Sequence, residues 1–165
     1  MSIRNKIVGA FLILLMLSIT SSIYVSYNIS NMKSNVKELT DVNFLGITFL
    51  LEADRDSYQS NVALIQIMNL DDNEKINKLI DKGVNDNILQ ISQRYEKFKA
   101  RLGTKLSANK DKFNEFEKNY ALTKANTEKI LTLVKNKDVI EAKNFYFTTY
   151  LKDYEAMREL INYFK

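Results

Sequence analysis

Proline is missing from all 165 residues, and glycine occurs only four times, at Gly9, Gly46, Gly83 and Gly103. Sheets need frequent chain reversals, and reversals are mostly built from those two residues. A chain almost free of both reads as a few long helices. Histidine and cysteine are absent too. With them go the commonest general base and metal ligand, any disulfide framework and any thiolate metal site. Nothing left assembles a nucleophile, a base and an oxyanion site, so neither catalysis nor a cofactor is expected. The net charge of +4 comes from interspersed lysines and acids. No basic stripe carries stacking aromatics, so no nucleic-acid partner is expected.

Residues 7–23 carry no charge and are dominated by Leu, Ile, Val, Phe and Met. Extended through Tyr27, the run reaches the roughly 20 residues that cross a bilayer as a helix. Arg4 and Lys6 precede it and the first acid is Glu38, which keeps the N-terminus in the cytoplasm. Tyr24 and Tyr27 fall where an interfacial aromatic belt sits. The rival is a cleaved signal peptide, with Thr20, Ser21 and Ser22 as a fair cleavage site. The apolar run exceeds the usual core of roughly 7–15 residues, and a helical pattern continues out of it, which favours an uncleaved anchor. The expected organisation is a cytoplasmic N-terminus and transmembrane helix over 1–27, then an extracytoplasmic helical domain over 28–165. The location is the inner (cytoplasmic) membrane, with the domain in the periplasm or outside the cell.

Core-type residues then recur at three-four spacing: Met32, Val36, Leu39, Asn43, Gly46, Leu50, Ala53, Ser57, Ser60, Leu64 and Ile67. Asp72 is placed to cap a second helix, with Ile76, Ile80, Val84, Ile88, Ile91, Tyr95, Phe98 and Leu102 as its seam and Gly103 as its stop. Thr104 is placed to cap a third, with Leu106, Phe113, Phe116, Tyr120, Thr123, Thr127, Ile130 and Val134. The fourth carries Val139, Ala142, Tyr146, Thr149, Asp153, Ala156, Leu160 and Tyr163. Short connections make neighbours antiparallel. The expected fold is all-α, an up-down-up-down four-helix bundle whose first helix continues from the transmembrane helix. At roughly 1.5 Å per residue, residues 27–69 rise about 60 Å and residues 138–165 descend only about 40 Å. The chain is therefore expected to run on into a second transmembrane helix beyond Lys165.

The most distinctive string is 52–59, Glu-Ala-Asp-Arg-Asp-Ser-Tyr-Gln. Beside the core seam, rotated by one residue, runs a second stripe: Phe44, Thr48, Leu51, Arg55, Tyr58, Val62 and Ile65. A helix apolar on two adjacent faces packs against more than one neighbour. Phe44, Thr48, Leu51 and Val62 are thus candidate dimer contacts, with Arg55 in or beside them. Counting turns down from the distal loops puts Thr149, Tyr150, Asp153 and Tyr154 at the level of Arg55. Together with Arg55 and Tyr58 they are the candidate ligand-binding residues: arginine offers a planar fork for a carboxylate, tyrosines an amphipathic wall. Other roles stay open. Arg55 has Glu52 three residues earlier as a surface partner, or Asp153 as a register-fixing one. The tyrosines also suit a core.

Anchor, long first helix and three further amphipathic helices resemble the sensor domain of methyl-accepting chemotaxis proteins. The opening six residues are similar to theirs, and string 52–59 looks like the acidic-Arg-acidic-x-Tyr-Gln stretch common in the family's first sensor helix. The resemblance implies a homodimer in the membrane that binds a small molecule, or a ligand-loaded binding protein, high on the bundle near the first-helix contact. It further implies that binding shifts the fourth helix along its axis, and that a second transmembrane helix, a HAMP linker and a signalling coiled coil complete the receptor. Arginines on the first helix hold the ligand in the aspartate and serine receptors. Only Arg55 is available here, so an amino-acid ligand does not follow. Two alternatives remain: input to a membrane histidine kinase or cyclic-dinucleotide enzyme, and a single-span structural bundle.

Overall fold

The structure, a computed structural model, describes residues 2–165, and all their side chains except those of residues 41, 42 and 104–106. It divides into two units, residues 1–42 and 43–165.

The first unit is built on α1 (Ile3–Glu38), 36 residues with no buried side chain. It is long and apolar enough to cross a membrane by length and composition. Its hydroxyls serve themselves: Thr20 Oγ1 donates to the Met16 carbonyl at 2.8 Å and Ser22 Oγ to that of Ser18 at 2.9 Å. In hydrocarbon, where no water can help, such groups have to be satisfied within the helix. Met32, Val36 and Leu39 are exposed, which corrects the expected start of the core seam. Burial of that row begins at Gly46.

A π-helical stretch, Leu39–Phe44, precedes α2 (Leu45–Ile67), the first helix of the second unit. The second bundle helix is α3 (Asn73–Lys78), a π-helical stretch Leu79–Asn85, and α4 (Asp86–Leu102). After a 3-10 stretch, Gly103–Asn109, comes α5 (Lys110–Lys135), the third. The fourth is α6 (Val139–Phe145), a π-helical Tyr146–Tyr150 and α7 (Leu151–Phe164). Among the described residues there is no strand.

Local chemistry explains the ends. Asp72 Oδ1 accepts from the Glu74 and Lys75 amides at 3.0 and 3.2 Å, an N-cap that holds its own carboxyl below the ordinary range. Gly103 stops α4 at φ 53° and ψ −121°, a conformation closed to other residues. Thr104 is not the cap of α5, which opens only at Lys110 with Asn109 before it; the Thr104 and Leu106 side chains lie outside the described residues. At the other end of α5, Lys137 adopts φ 66°. Its N–H donates to Val134 O at 2.9 Å, and the Asp138 N–H reaches Leu133 O at 2.8 Å. That is a Schellman ending with lysine where glycine is usual.

Cross-helix bonds give the register. Arg158 meets Asp54 at 2.7 Å while Tyr146 meets Asn61 at 2.9 Å, so the fourth helix runs antiparallel to α2. Asn126 Nδ2 donates to Asp153 at 2.7 Å across the third and fourth helices, and Lys99 Nζ to Glu117 at 2.6 Å across the second and third. The core has three zones. At the α2–α3 and α5–α6 end it is aliphatic, with Leu64, Ile67, Ile80, Ile130 and Ala142. At the other end it is aromatic: Tyr95 stacks on Phe116 at 3.7 Å between centroids and Phe113 on Phe164 at 4.7 Å. Between them Asp56, Ser57, Ser60, Thr123 and Thr127 are all buried. The fourth helix is phased differently from expectation. Its buried residues are Ala142, Tyr146, Tyr150, Tyr154, Met157, Leu160 and Ile161, so the expected Ala142, Tyr146 and Leu160 are in the core, whereas Thr149, Asp153 and Ala156 are half-buried and Tyr163 is exposed. The wide i→i+5 turn at Tyr146–Tyr150 advances the row by four residues where a three-residue step was expected.

Candidate functional site

The acids of string 52–59 point to different helices, because alternate residues on a helix face apart. Glu52 and Asp56, four residues apart, share one face and meet Arg94 of α4: Glu52 Oε2 lies 2.8 Å from Nη1, and Asp56 Oδ2 3.6 Å from Nε. The first is an ion pair whose angle is poor for a hydrogen bond. Asp54 turns toward the fourth helix, where Arg158 Nε and Lys165 Nζ each reach it at 2.7 Å. Burial works to raise the Asp54 carboxyl pKa, but the hydrogen bonds from Arg158 and Lys165 outweigh it and hold it below the ordinary value.

Arg55 lies outside, its side chain 52% exposed. Its partner is neither Glu52 nor Asp153, as the sequence suggested, but the next residue: Nε and Nη2 donate to Asp56 Oδ1 at 3.0 and 2.7 Å. Adjacent residues on a helix rarely face each other. Here the long arginine curls inward over a carboxylate that is completely buried. Asp56 is thus shared between an outward arginine and Arg94.

One turn on, Tyr58 is 58% exposed. With Gln59, Val62, Ala63 and Gln66 it lines one wall of a cavity of about 300 Å³, and Leu79, Gly83 and Asn87 line the other. The second wall is the π-helical stretch, through Leu79 and Gly83, and the first turn of α4, through Asn87. Asn87 Nδ2 donates to Gly83 O at 2.7 Å and Lys82 O at 3.4 Å, partnering carbonyls that the wide turn loosens. Phe44, Leu51 and Ile65 stand exposed along the same side of α2, with Thr48 and Val62 half-buried between them.

The sequence-predicted site residues do not form one cluster. Arg55 and Tyr58 are on the outer face. Thr149 is half-buried and 3.5 Å from the Thr148 hydroxyl. Asp153 is committed to Asn126. Tyr150 and Tyr154 are in the core, stacked in a ladder with Tyr146 at 5.2 and 5.6 Å. Burial drives the phenol pKa of both upward, and their hydroxyls lie near Thr127 and Ser57 without a well-formed hydrogen bond. Sequence reasoning missed Arg94, Gln66 and Asn87, and it quoted Gln59 only as part of string 52–59. Arg94 had a usable signal, lying next to the core residue Tyr95 in the helix that neighbours an acidic i,i+4 pair.

Residues 1–164 match the family model of the four-helix-bundle sensory module for signal transduction, the chemoreceptor type. The chain belongs to that family. No curated protein and no solved structure matches it. In the sensory module so identified, one N-terminal helix is a candidate span, and string 52–59 supplies the ties that hold α2 to its two neighbours.

Proposed function

We propose that this sensory module is the ligand-sensing input of a homodimeric bacterial chemoreceptor in the inner membrane, with its bundle outside the cytoplasm. The observation that carries the reading is the outer face of α2, where an arginine, an exposed tyrosine and a cavity lie beside an apolar row left exposed among the described residues of the second unit. A soluble helix leaves such a row open where a partner packs on it. In this reading Phe44, Thr48, Leu51 and Val62 pack against a second subunit. Arg55 and Tyr58 hold the ligand beside that contact, while Tyr150 and Tyr154, with Thr149 and Asp153 alongside, are the part of the fourth helix that responds.

An anionic group that captures Arg55 withdraws it from Asp56, a carboxylate too buried to be left with one weak partner. Arg94 is the cation within reach, so α4 and α2 readjust. The fourth helix is tied by side-chain bonds to Asp54, Asn61, Asn69, Asn109 and Asn126, those to Asn69 and Asn109 exposed, across a core rich in hydroxyls. Such a core is less interlocked than a leucine seam and permits a small axial shift that carries the signal across the membrane.

Melting curves of the full chain against amino acids, dicarboxylates, amines and sugars test the reading. A saturable rise that disappears in Arg55→Ala supports it. A panel in which no shift depends on Arg55 counts against sensing at this face.

A further inference from the structure

A second cavity, about 430 Å³, opens at the corner where α2 turns into α3, lined by Leu70, Lys75, Lys78, Leu79, Lys82 and Gly83. Its size falls in the range of small-molecule pockets. Leu70 and Leu79 give it an apolar seat, and Gly83, with no side chain, brings the backbone to its wall. Lys75, Lys78 and Lys82, spaced three and four apart, line one edge of the same helix. Lys75 stands 3.3 Å from Asp72 and Lys82 3.0 Å from Asp86, both exposed pairs within a single helix. Exposed pairs of that kind hold their cation loosely. Lys78 has no acidic partner among the described residues.

The lysines' methylene stems complete the apolar seat, and their ammoniums, at the ends of flexible stems, are within reach of its mouth. An anion can recruit Lys78 and draw Lys75 and Lys82 from their loosely held exposed pairs, whereas a neutral apolar molecule gains nothing from the rim. A simple inorganic anion gains nothing from the seat. We infer that this corner binds a small organic anion with an apolar body, an aromatic carboxylate in type, its ring on Leu70 and Leu79 and its carboxylate among Lys75, Lys78 and Lys82. Ammoniums are point charges on flexible stems, so the rim accepts a carboxylate without demanding one geometry. The site does not include Arg55 and rests on the sensor reading only in that a sensor has use for it. It also touches that face: Leu79 and Gly83 line both this cavity and the one beside Tyr58. They belong to the π-helical stretch, a kind of irregularity that gathers at functional sites.

The test uses the full chain in lipid nanodiscs and a photoreactive benzoate bearing a trifluoromethyl-diazirine, with labelled residues mapped by peptide mass spectrometry. Labelling is expected within residues 70–83, competed by benzoate, with benzamide about tenfold weaker for want of the charge-assisted contacts. The triple variant Lys75→Gln, Lys78→Gln, Lys82→Gln, its fold checked by circular dichroism, loses the label. Arg55→Ala keeps it. Labelling spread over the exposed surface or gathered on α1, equal competition by benzamide, or a triple variant that labels like the parent each overturns the proposal. Loss of the label in Arg55→Ala overturns it as well, moving the anion to the outer face and leaving the sensor reading intact.

Discussion

Gly83 lies tightly against Ala63 where the first two bundle helices meet, and that contact sets a prediction whose sign runs against helix propensity. A Cβ added at Gly83 would lie 2.7 Å from Ala63 Cβ, far inside van der Waals contact. Ala63 is buried and its Cβ is fixed to the backbone, so it cannot rotate away. Only separation of the two helices relieves the clash. Overpacking of this kind costs about 1–3 kcal/mol. Replacing glycine by alanine within a helix gains about 1 kcal/mol in propensity. Taking the middle of the overpacking range, Gly83→Ala should therefore destabilise by about 1 kcal/mol, a fall in melting temperature of about 3 °C for a domain of this size. Ala63→Gly alone should destabilise as well. The double variant should be more stable than the sum of the two singles by over about 1 kcal/mol, because the methyl moves across the interface instead of doubling. Thermal and urea unfolding by circular dichroism give all three values. A Gly83→Ala variant as stable as the parent or more so, or strictly additive singles, would refute the close packing.

Three further outcomes follow from particular bonds. Asp54→Asn strands Arg158 and Lys165 and should lower stability by about 1–2 kcal/mol, between the exposed and the buried extremes for ion pairs. Because the folded Asp54 pKa lies below the unfolded one, its contribution is present above pH of about 4 and fades as pH falls through the folded value; the parent should lose stability there and the variant lose less in urea titrations across that range. Burial raises the phenol pKa of Tyr95 and Tyr150, so their stabilising effect is complete below pH of about 10 and is lost as pH rises. Alkaline titration should therefore show tyrosinate absorbance from these two appearing together with loss of helix, and tyrosinate at either position in a folded bundle would contradict their burial. Lys137→Gly should stabilise by about 0.5–1 kcal/mol, since a left-handed φ strains lysine and suits glycine, and a lower melting temperature would argue against the Schellman ending.

Much of this fold is legible in the chain, and the exceptions are physical. The second helix reads correctly because Ile80, Val84 and Ile88 step by four, a spacing that an α-turn and a wide π-turn both keep on one face. The fourth does not, because heptad counting took a three-residue step from Tyr146 just where the turn widens. Asp72 and Gly103 announce helix ends through their own backbone preferences. The site is less legible. Arg55 and Tyr58 can be placed on an outer stripe by spacing alone, but the pairing of Arg55 with its neighbour Asp56 depends on a side-chain path that spacing does not encode. Tyr150 and Tyr154 show the opposite difficulty: amphipathic residues suit a pocket or a core equally, and only the register decides. The lysine-rimmed corner is visible only once Leu70 and Leu79 are folded onto the same cavity.

The central claim is that the outer row of α2 is a subunit contact in a receptor dimer. A two-fold interface brings a residue near its own copy, and disulfides form only at Cα separations of about 4.4–6.8 Å. The chain has no cysteine of its own, so single variants report cleanly. Phe44→Cys and Leu51→Cys should give disulfide-linked dimers within minutes of mild oxidation in native membranes, while Lys118→Cys, exposed on α5, stays monomeric. Dimers that form equally at all three positions, or at Lys118→Cys alone, would contradict the account.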